Sequence, residues 1–318
     1  MTGINRRKLV TALPGIALIG GPVAAEQAKI TLGSGAEGSG LENYATAFAD
    51  AIRAVDPTLE VRLVRPKEIL PNVAMLESGD LDIGMVFGEV AHDLFTGIGR
   101  PPTKLKVISV AYSTPGMFVV RAGSRYRRIA DLKGQPVVWN RRNSGIAAQA
   151  SYVVDGLDLD IERDFEPIYT NRLAEGPPMV LDGRAAALWG SGLRWPGFVE
   201  MARDPRGARF IVPDAGEIAR IQAKHGFLKK LTVPASLYPG QYNALHTVGG
   251  WSFILARANL DDAVGYRLAS SFHKIDRYSA FSGYLKESTL ENTLAAIPGP
   301  EFLQPGVLRF YQKLNLLK

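Results

Sequence analysis

Residues 33–40 (GSGAEGSG) are half glycine, and the segments on either side restrict what such a loop can join. Before it, residues 28–32 (AKITL) form a short apolar run with a β-branched pair. After it, Leu41, Tyr44, Ala45, Phe48 and Ile52 recur at helical spacing. The segment therefore predicts strand, glycine loop, helix. Glycine lets a backbone turn sharply and lie close to a ligand, and the free N–H groups opening the next helix favour an anion. Gly33, Ser34, Gly35 and Glu37 are thus candidate ligand-binding residues. Gly33, Gly35 and Gly38 also satisfy G-x-G-x-x-G after a strand, the turn used by NAD(P)-dependent oxidoreductases. Two features weigh against that alternative. The glycines run on to Gly40, so the helix starts late, and the second strand ends at Arg65 with no acidic residue to take a ribose hydroxyl. A tight turn with no ligand is the simplest alternative.

The alternation continues. Residues 59–64 read as a strand, 69–76 as a helix closed by Gly79, and 82–87 (DIGMVF) as a nearly continuous apolar run, the mark of a strand buried on both faces. Residues 89–95 read as helix, and 106–112 and 117–121 as two further strands. Strand and helix in turn predict a doubly wound α/β sheet with its ligand at the carboxyl ends of the strands, which adds Phe87 and Gly88 as candidates and directs attention to Glu89 beside them, a residue better read as a helix N-terminal charge than as part of an acid/base pair. A second set follows: a one-turn helix at 129–134 that stops at Gly134, a strand at 135–139, a polar loop at 140–145 and a helix at 146–154. This loop brings Arg141, Arg142, Asn143 and Ser144. A guanidinium fork matches a carboxylate, and Ser144 is placed to cap the helix. The two arginines are read either as solvated surface charge or as a clamp in which at least one binds a carboxylate. Residues 185–189 (AAALW) predict a buried strand followed by a third loop with Gly190, Ser191 and Trp195, the indole being either a ligand wall or core. A strand at 209–213, a helix at 217–231, a strand at 247–256 and helices at 260–275 and 287–294 complete the order.

With 318 residues and 46% hydrophobic content, the chain can bury a large core and form two domains. Its first 25 residues differ from the rest: Arg6, Arg7 and Lys8 precede an apolar stretch ending in Val23, Ala24 and Ala25, the pattern of an export signal cleaved after Ala25. The Arg6-Arg7 pair resembles a twin-arginine signal, although ordinary secretory signals carry such pairs too. Of the net charge of +6, three units belong to this leader, so the mature chain offers little for nucleic acid to bind. With no cysteine there is no disulfide, thiol nucleophile or thiolate metal site. His92, His225, His246 and His273 show no metal-ligand spacing, and no serine lies in G-x-S-x-G, so neither enzyme chemistry nor a cofactor or metal is expected.

From Glu26 onward the chain resembles the solute-receptor (TAXI) subunits of tripartite ATP-independent periplasmic (TRAP) transporters. The pieces that carry the resemblance are the glycine-loop opening, LESGDLDIGMV at 76–86, IADLKG at 129–134, PASLYPGQ at 234–241, and the paired ending of Thr289-Leu290-Glu291-Asn292 with Pro305-Gly306-Val307. IADLKG is shared by many bacterial binding proteins; PASLYPGQ followed by the C-terminal pieces is more specific. The resemblance implies a two-lobed (type II) periplasmic binding protein whose chain crosses twice between lobes, near 119–121 and 248–251. Each lobe is then a mainly parallel doubly wound sheet: lobe one residues 26–119 plus 250–318, lobe two residues 120–249. It further implies a periplasmic monomer that takes a small organic anion, such as a carboxylate, dicarboxylate, keto acid or acidic amino acid, to an ion-gradient-driven permease. A receptor for an ATP-driven (ABC) importer or a sensor would share this fold. The chain departs from the family at Gly38-Ser39-Gly40, Phe87-Gly88-Glu89 and Pro66-Lys67-Glu68-Ile69, all in loops expected to face the ligand, so the fold carries over better than the substrate.

Overall fold

The structure is a computed structural model describing residues 27–35, 39–65, 71–275 and 282–317. The expected export signal, Glu37, Gly38 and the stretch 66–69 lie outside the described residues. The first part of the chain runs β1 (Ala28–Gly33), α1 (Gly40–Val55), β2 (Leu59–Val64), α2 (Pro71–Ser78), β3 (Ile83–Val86), α3 (Gly88–Thr96) and β4 (Lys106–Arg121). Next come β5 (Pro136–Val138), α4 (Gly145–Asp155), α5 (Ile161–Asp164), β6 (Glu166–Ile168), α6 (Gly176–Leu181), β7 (Ala187–Ser191) and α7 (Pro196–Arg203). The last part is β8 (Ala208–Ile211), α8 (Ala215–Lys224), β9 (Lys229–Val233), β10 (Leu245–Ala256), α9 (Asp262–Lys274), α10 (Ser282–Leu285), α11 (Leu290–Ala296) and α12 (Pro305–Lys313). No described helix is long and apolar enough to cross a membrane.

The strands follow the order β2-β1-β3-β10-β4-β7-β5-β6, with β8 beside β4 and β9 beside β10. β1 is parallel to β2 and β3, and β5 is parallel to β6 and β7, as strand–helix alternation requires. β4 and β10 run antiparallel to their neighbours and serve both halves. β4 pairs with β10 as far as Pro115 and with β7 from Gly116 onward, while β10 leaves β9 after Gly249 and pairs with β3 from Phe253. The change of partner in β4 thus falls upstream of the expected stretch 119–121, because Gly116–Val119 is already hydrogen-bonded to β7.

Three local expectations change. The two strands expected over 106–112 and 117–121 are one strand of 16 residues, since Pro115 sits where β4 exchanges partners. The strand expected at 185–189 runs through Ser191, so Gly190 and Ser191 belong to β7 and pair with Met117 and Gly116. The helix expected over 217–231 stops at Lys224, and 229–233 becomes β9, because edge pairing along β10 outweighs the apolar spacing that had extended the helix.

Packing follows from pattern. Ser39 caps α1, its Oγ accepting the Glu42 N–H at 3.2 Å, and the helix buries Leu41, Tyr44, Ala45, Phe48 and Ile52, the face its spacing predicts. Phe48 is fully buried, its ring 5.1 Å from that of Phe272 in α9. In the other half Phe118 lies between Trp139 and Trp189, with ring centroids 5.5 and 4.8 Å away. Phe48→Ala should cost roughly 3–5 kcal/mol, read as a lower denaturant midpoint. A midpoint equal to wild type would show that α1 is not anchored through this ring.

Candidate functional site

The expected loops leave the carboxyl ends of β1 and β3 on one side of the hinge strands and of β5 and β7 on the other. Parallel pairing puts each pair of ends on a common edge. The two edges face one another: a Cβ on Gly145, the first residue of α4, would lie 2.3 Å from the ring of Phe87, the N-cap of α3. Only a glycine lets the start of α4 rest on that ring. Similarly, a Cβ on Gly88 would lie 2.2 Å from the Trp251 carbonyl oxygen, so glycine lets α3 begin directly against β10.

Each edge is tied by a buried asparagine. Asn72 in α2 places Nδ2 3.2, 3.0 and 2.9 Å from the carbonyl oxygens of Gly33, Ser34 and Met85, joining the ends of β1 and β3. Asn140, in the left-handed conformation (φ 64°) just after β5, donates Nδ2–H to the Trp189 carbonyl at 2.7 Å and accepts the Thr170 N–H at 3.0 Å on its own carbonyl. It therefore links the ends of β5, β6 and β7. Nothing local marks Asn72, and loop composition marks the stretch holding Asn140 without assigning it this role.

The predicted residues divide by what they touch. Gly33 and Gly35 are small for the protein's own packing: added Cβ atoms would lie 2.5 Å from Asn72 Oδ1 and 2.4 Å from Ser39 Oγ. Ser34 is buried, with Oγ 3.2 Å from the Gly35 carbonyl. Ser144 caps α4 by accepting the Ala147 N–H at 3.2 Å. Arg141 is half-buried, whereas Arg142 and Asn143 are exposed. Arg142 is held on the flank of its own half, paired with Glu162 at 2.8 Å and stacked 4.0 Å over the Tyr169 ring. Ser191 donates to the Thr114 carbonyl at 3.2 Å, and Trp195 packs across Gly190 and Gly197 with its indole N–H lacking a partner among the described residues. Behind this last loop stands part of the PASLYPGQ segment. Buried Gln241 bonds the carbonyls of Pro234 and Asn243 and the N–H groups of Leu237 and Tyr238, while the Tyr238 hydroxyl accepts the Arg194 N–H at 2.9 Å.

Polar groups collect where the hinge strands exchange partners. The Gln149 amide donates to Glu89 Oε1 at 2.7 Å and to the Thr114 carbonyl at 2.8 Å, and Thr247 Oγ1 donates to the Gly116 carbonyl at 2.6 Å. Burial pushes the Glu89 carboxyl up to about 7, against the opposing pull of hydrogen bonds from its own N–H, Gln149 and the Gly250 N–H; Asp93 adds to the rise. The sequence places Glu89 at a strand end expected to face a ligand and reads it as a helix N-terminal charge, but not as one half of a pair with Gln149. The overlooked signal was Gln149, one amide within the apolar run AAQASYVV. His246 lies on the exposed face of β10 with Nδ1 3.1 Å from Thr232 Oγ1. Among the described residues no cluster of histidine and acidic side chains is assembled that could hold a metal ion.

Three solved structures share this architecture. PhnD1 from Prochlorococcus marinus, in complex with methylphosphonate, aligns with a TM-score of 0.55 at 12% identity, over 91% of this chain and 99% of that one. The periplasmic aliphatic sulphonate binding protein SsuA from Escherichia coli aligns with a TM-score of 0.53 at 16% identity, over 91% and 84%. A TctC solute binding protein from Polaromonas aligns with a TM-score of 0.53 at 15% identity, over 91% and 98%. These likenesses identify the α/β two-lobed periplasmic binding protein fold. The NMT1-like family matches residues 70–313, from α2 through α12, which takes in the ends of β3, β5 and β7. The chain belongs to the NMT1-like family.

Proposed function

We propose that this protein is an extracytoplasmic solute receptor that binds a small organic anion between its lobes and delivers it to a membrane permease. The observation that carries the reading is the meeting of the two edges at Phe87 and Gly145, which puts the starts of α3 and α4 on opposite sides of one cleft. Two lobes joined by two strands can hinge, and a ligand touching both shifts the population toward the closed form. Membership of the NMT1-like family and the shared fold support a binding role over an oxidoreductase. The packing of Gly33 and Gly35 against Asn72 and Ser39 supports it as well, since it accounts for both glycines without a nucleotide.

In this reading lobe one supplies Ser34, Gly35, Phe87 and Gly88, and lobe two supplies Arg141, Ser144, Ser191 and Trp195. We place the lobe boundary at 115/116 and 249/250, where β4 and β10 change partners. An anion fits the N-terminus of α4 and the neighbouring guanidinium of Arg141. The aliphatic sulphonate and methylphosphonate named for two of the structures above are small organic anions, which supports that class. The family motifs quoted from the sequence support the TAXI receptors and hence a permease driven by an ion gradient.

A thermal-shift screen of dicarboxylates, keto acids, acidic amino acids, sulphonates and phosphonates identifies the ligand. Calorimetry then separates the arginines. Arg141→Ala should weaken binding about ten-fold or more, the loss of one charge-assisted contact, while Arg142→Ala, whose guanidinium is held by Glu162 and Tyr169, should stay within about three-fold. Wild-type affinity in both variants contradicts the clamp. Asn72→Ala leaves three carbonyls at the ends of β1 and β3 without their donor and should lower stability by about 1–3 kcal/mol. The same variant should weaken ligand binding beyond the loss in folded fraction; unchanged affinity would mean that the Ser34 loop does not depend on Asn72.

A further inference from the structure

Beyond the cleft, α3 of lobe one and α4 of lobe two lie side by side over the hinge, and their facing side chains form a continuous seam. Lobe one contributes Glu89, His92 and Asp93, spaced on one face of α3. Lobe two contributes Gln149, Tyr152 and Asp155 from one face of α4, with His225 and Phe227 from the segment after α8. Gln149 bonds Glu89 at 2.7 Å, and the Tyr152 hydroxyl donates to Asp93. His92 stacks on Phe227 with ring centroids 3.8 Å apart and planes 11° apart. Tyr152 stands edge-on to Phe227 and to His225, each at 4.9 Å, and His225 Nε2 lies 2.6 Å from Asp155.

The Glu89–Gln149 pair sits at the innermost end of this seam. Its carboxyl lies against Gly250 in β10, where an added Cβ would come 2.8 Å from Glu89 Oε1, and its amide reaches the carbonyl of Thr114 in β4; Gly250 and Thr114 are paired across the two strands beside the point where each changes partner. One pair of side chains therefore touches both lobes and both hinge strands. We propose that this pair is a latch: it holds α3 against α4, and its making and breaking sets how often the lobes separate, independent of any ligand.

The latch responds to protons. Opening exposes Glu89 to water, where a carboxyl has its ordinary pKa near 4.5, whereas in the joined seam burial raises it to about 7. The joined form thus holds its proton more tightly. It gains stability as pH falls through about 7 and loses it as pH rises above that value. The groups facing Glu89 are Asp93 on its own helix, Gln149 and Tyr152 on α4, Thr114 on β4 and the Gly250 N–H on β10; none of the groups that shift it is a cation. His92 acts in the opposite sense. Burial lowers its pKa, with His225 adding to the fall and Asp93 opposing it, so protonating His92 disfavours the joined form below its ordinary value of 6.5. Above about pH 6.5 His92 stays neutral and Glu89 governs the response.

The absence of cysteine allows clean labelling. Nitroxides on Glu60→Cys in β2 and Glu166→Cys in β6, exposed residues on the two outermost strands, report lobe separation by pulsed electron resonance without ligand. Between about pH 6.5 and 8.5 the wild-type distribution should shift outward by more than about 2 Å. Glu89→Gln, which keeps an acceptor and loses the charge, should stay joined at both values, and Gln149→Met should be open at both. Wild type and Glu89→Gln responding alike, or Gln149→Met remaining as joined as wild type, overturns the latch. Should Gln149→Met fail to fold, the comparison of wild type with Glu89→Gln decides alone. The inference rests on the two-lobed fold and not on the ligand, so its failure leaves the proposed receptor role standing.

Discussion

Two strands have to serve two sheets at once, and the rest of the molecule is arranged around where they change partners. β4 is bonded to β10 as far as Pro115 and to β7 from Gly116, while β10 passes from β9 to its lobe-one neighbours around Gly249. At such a crossing the regular ladder is interrupted, and the backbone groups left over need partners from elsewhere. Here they come from side chains: Gln149 and Ser191 on the Thr114 carbonyl, and Thr247 on that of Gly116. The closeness of the strands demands glycine, since a Cβ on Gly249 would lie 2.1 Å from the Thr114 oxygen.

That arrangement explains why the candidate residues meet. Parallel pairing within each lobe sends the loops after β1 and β3, and after β5 and β7, to common edges, and the two long antiparallel strands bring those edges face to face. Asn72 and Asn140 then hold each edge in shape by the same device, an amide spanning the ends of neighbouring strands.

Much of this architecture was legible from periodicity. The first strand and the helix after the glycine-rich stretch, the buried DIGMV strand, the cap at Ser144 and the alternation of elements all follow from local pattern, whereas the cap at Ser39 does not figure in it. What depended on long-range pairing was not. Pro115 looks like a strand breaker until β4 is seen to exchange partners there, and 229–233 looks helical until β10 offers it an edge. The site divides along the same line. Loop composition marks Ser34, Phe87, Arg141 and Trp195, but nothing local distinguishes Arg141 from Arg142; the difference lies in Glu162 and Tyr169, some 20 and 27 positions further on. Glu89 and Gln149 carry no motif, and only their contact across the lobes gives them meaning.

The central claim is that an acidic metabolite is held between the two edges and released unchanged. A crystal structure of residues 26–318 with the ligand identified by screening tests it most directly. The account predicts density for the intact anion bounded by Ser34, Phe87, Arg141 and Ser144. Density outside the cleft, or for a chemically altered compound, would contradict it.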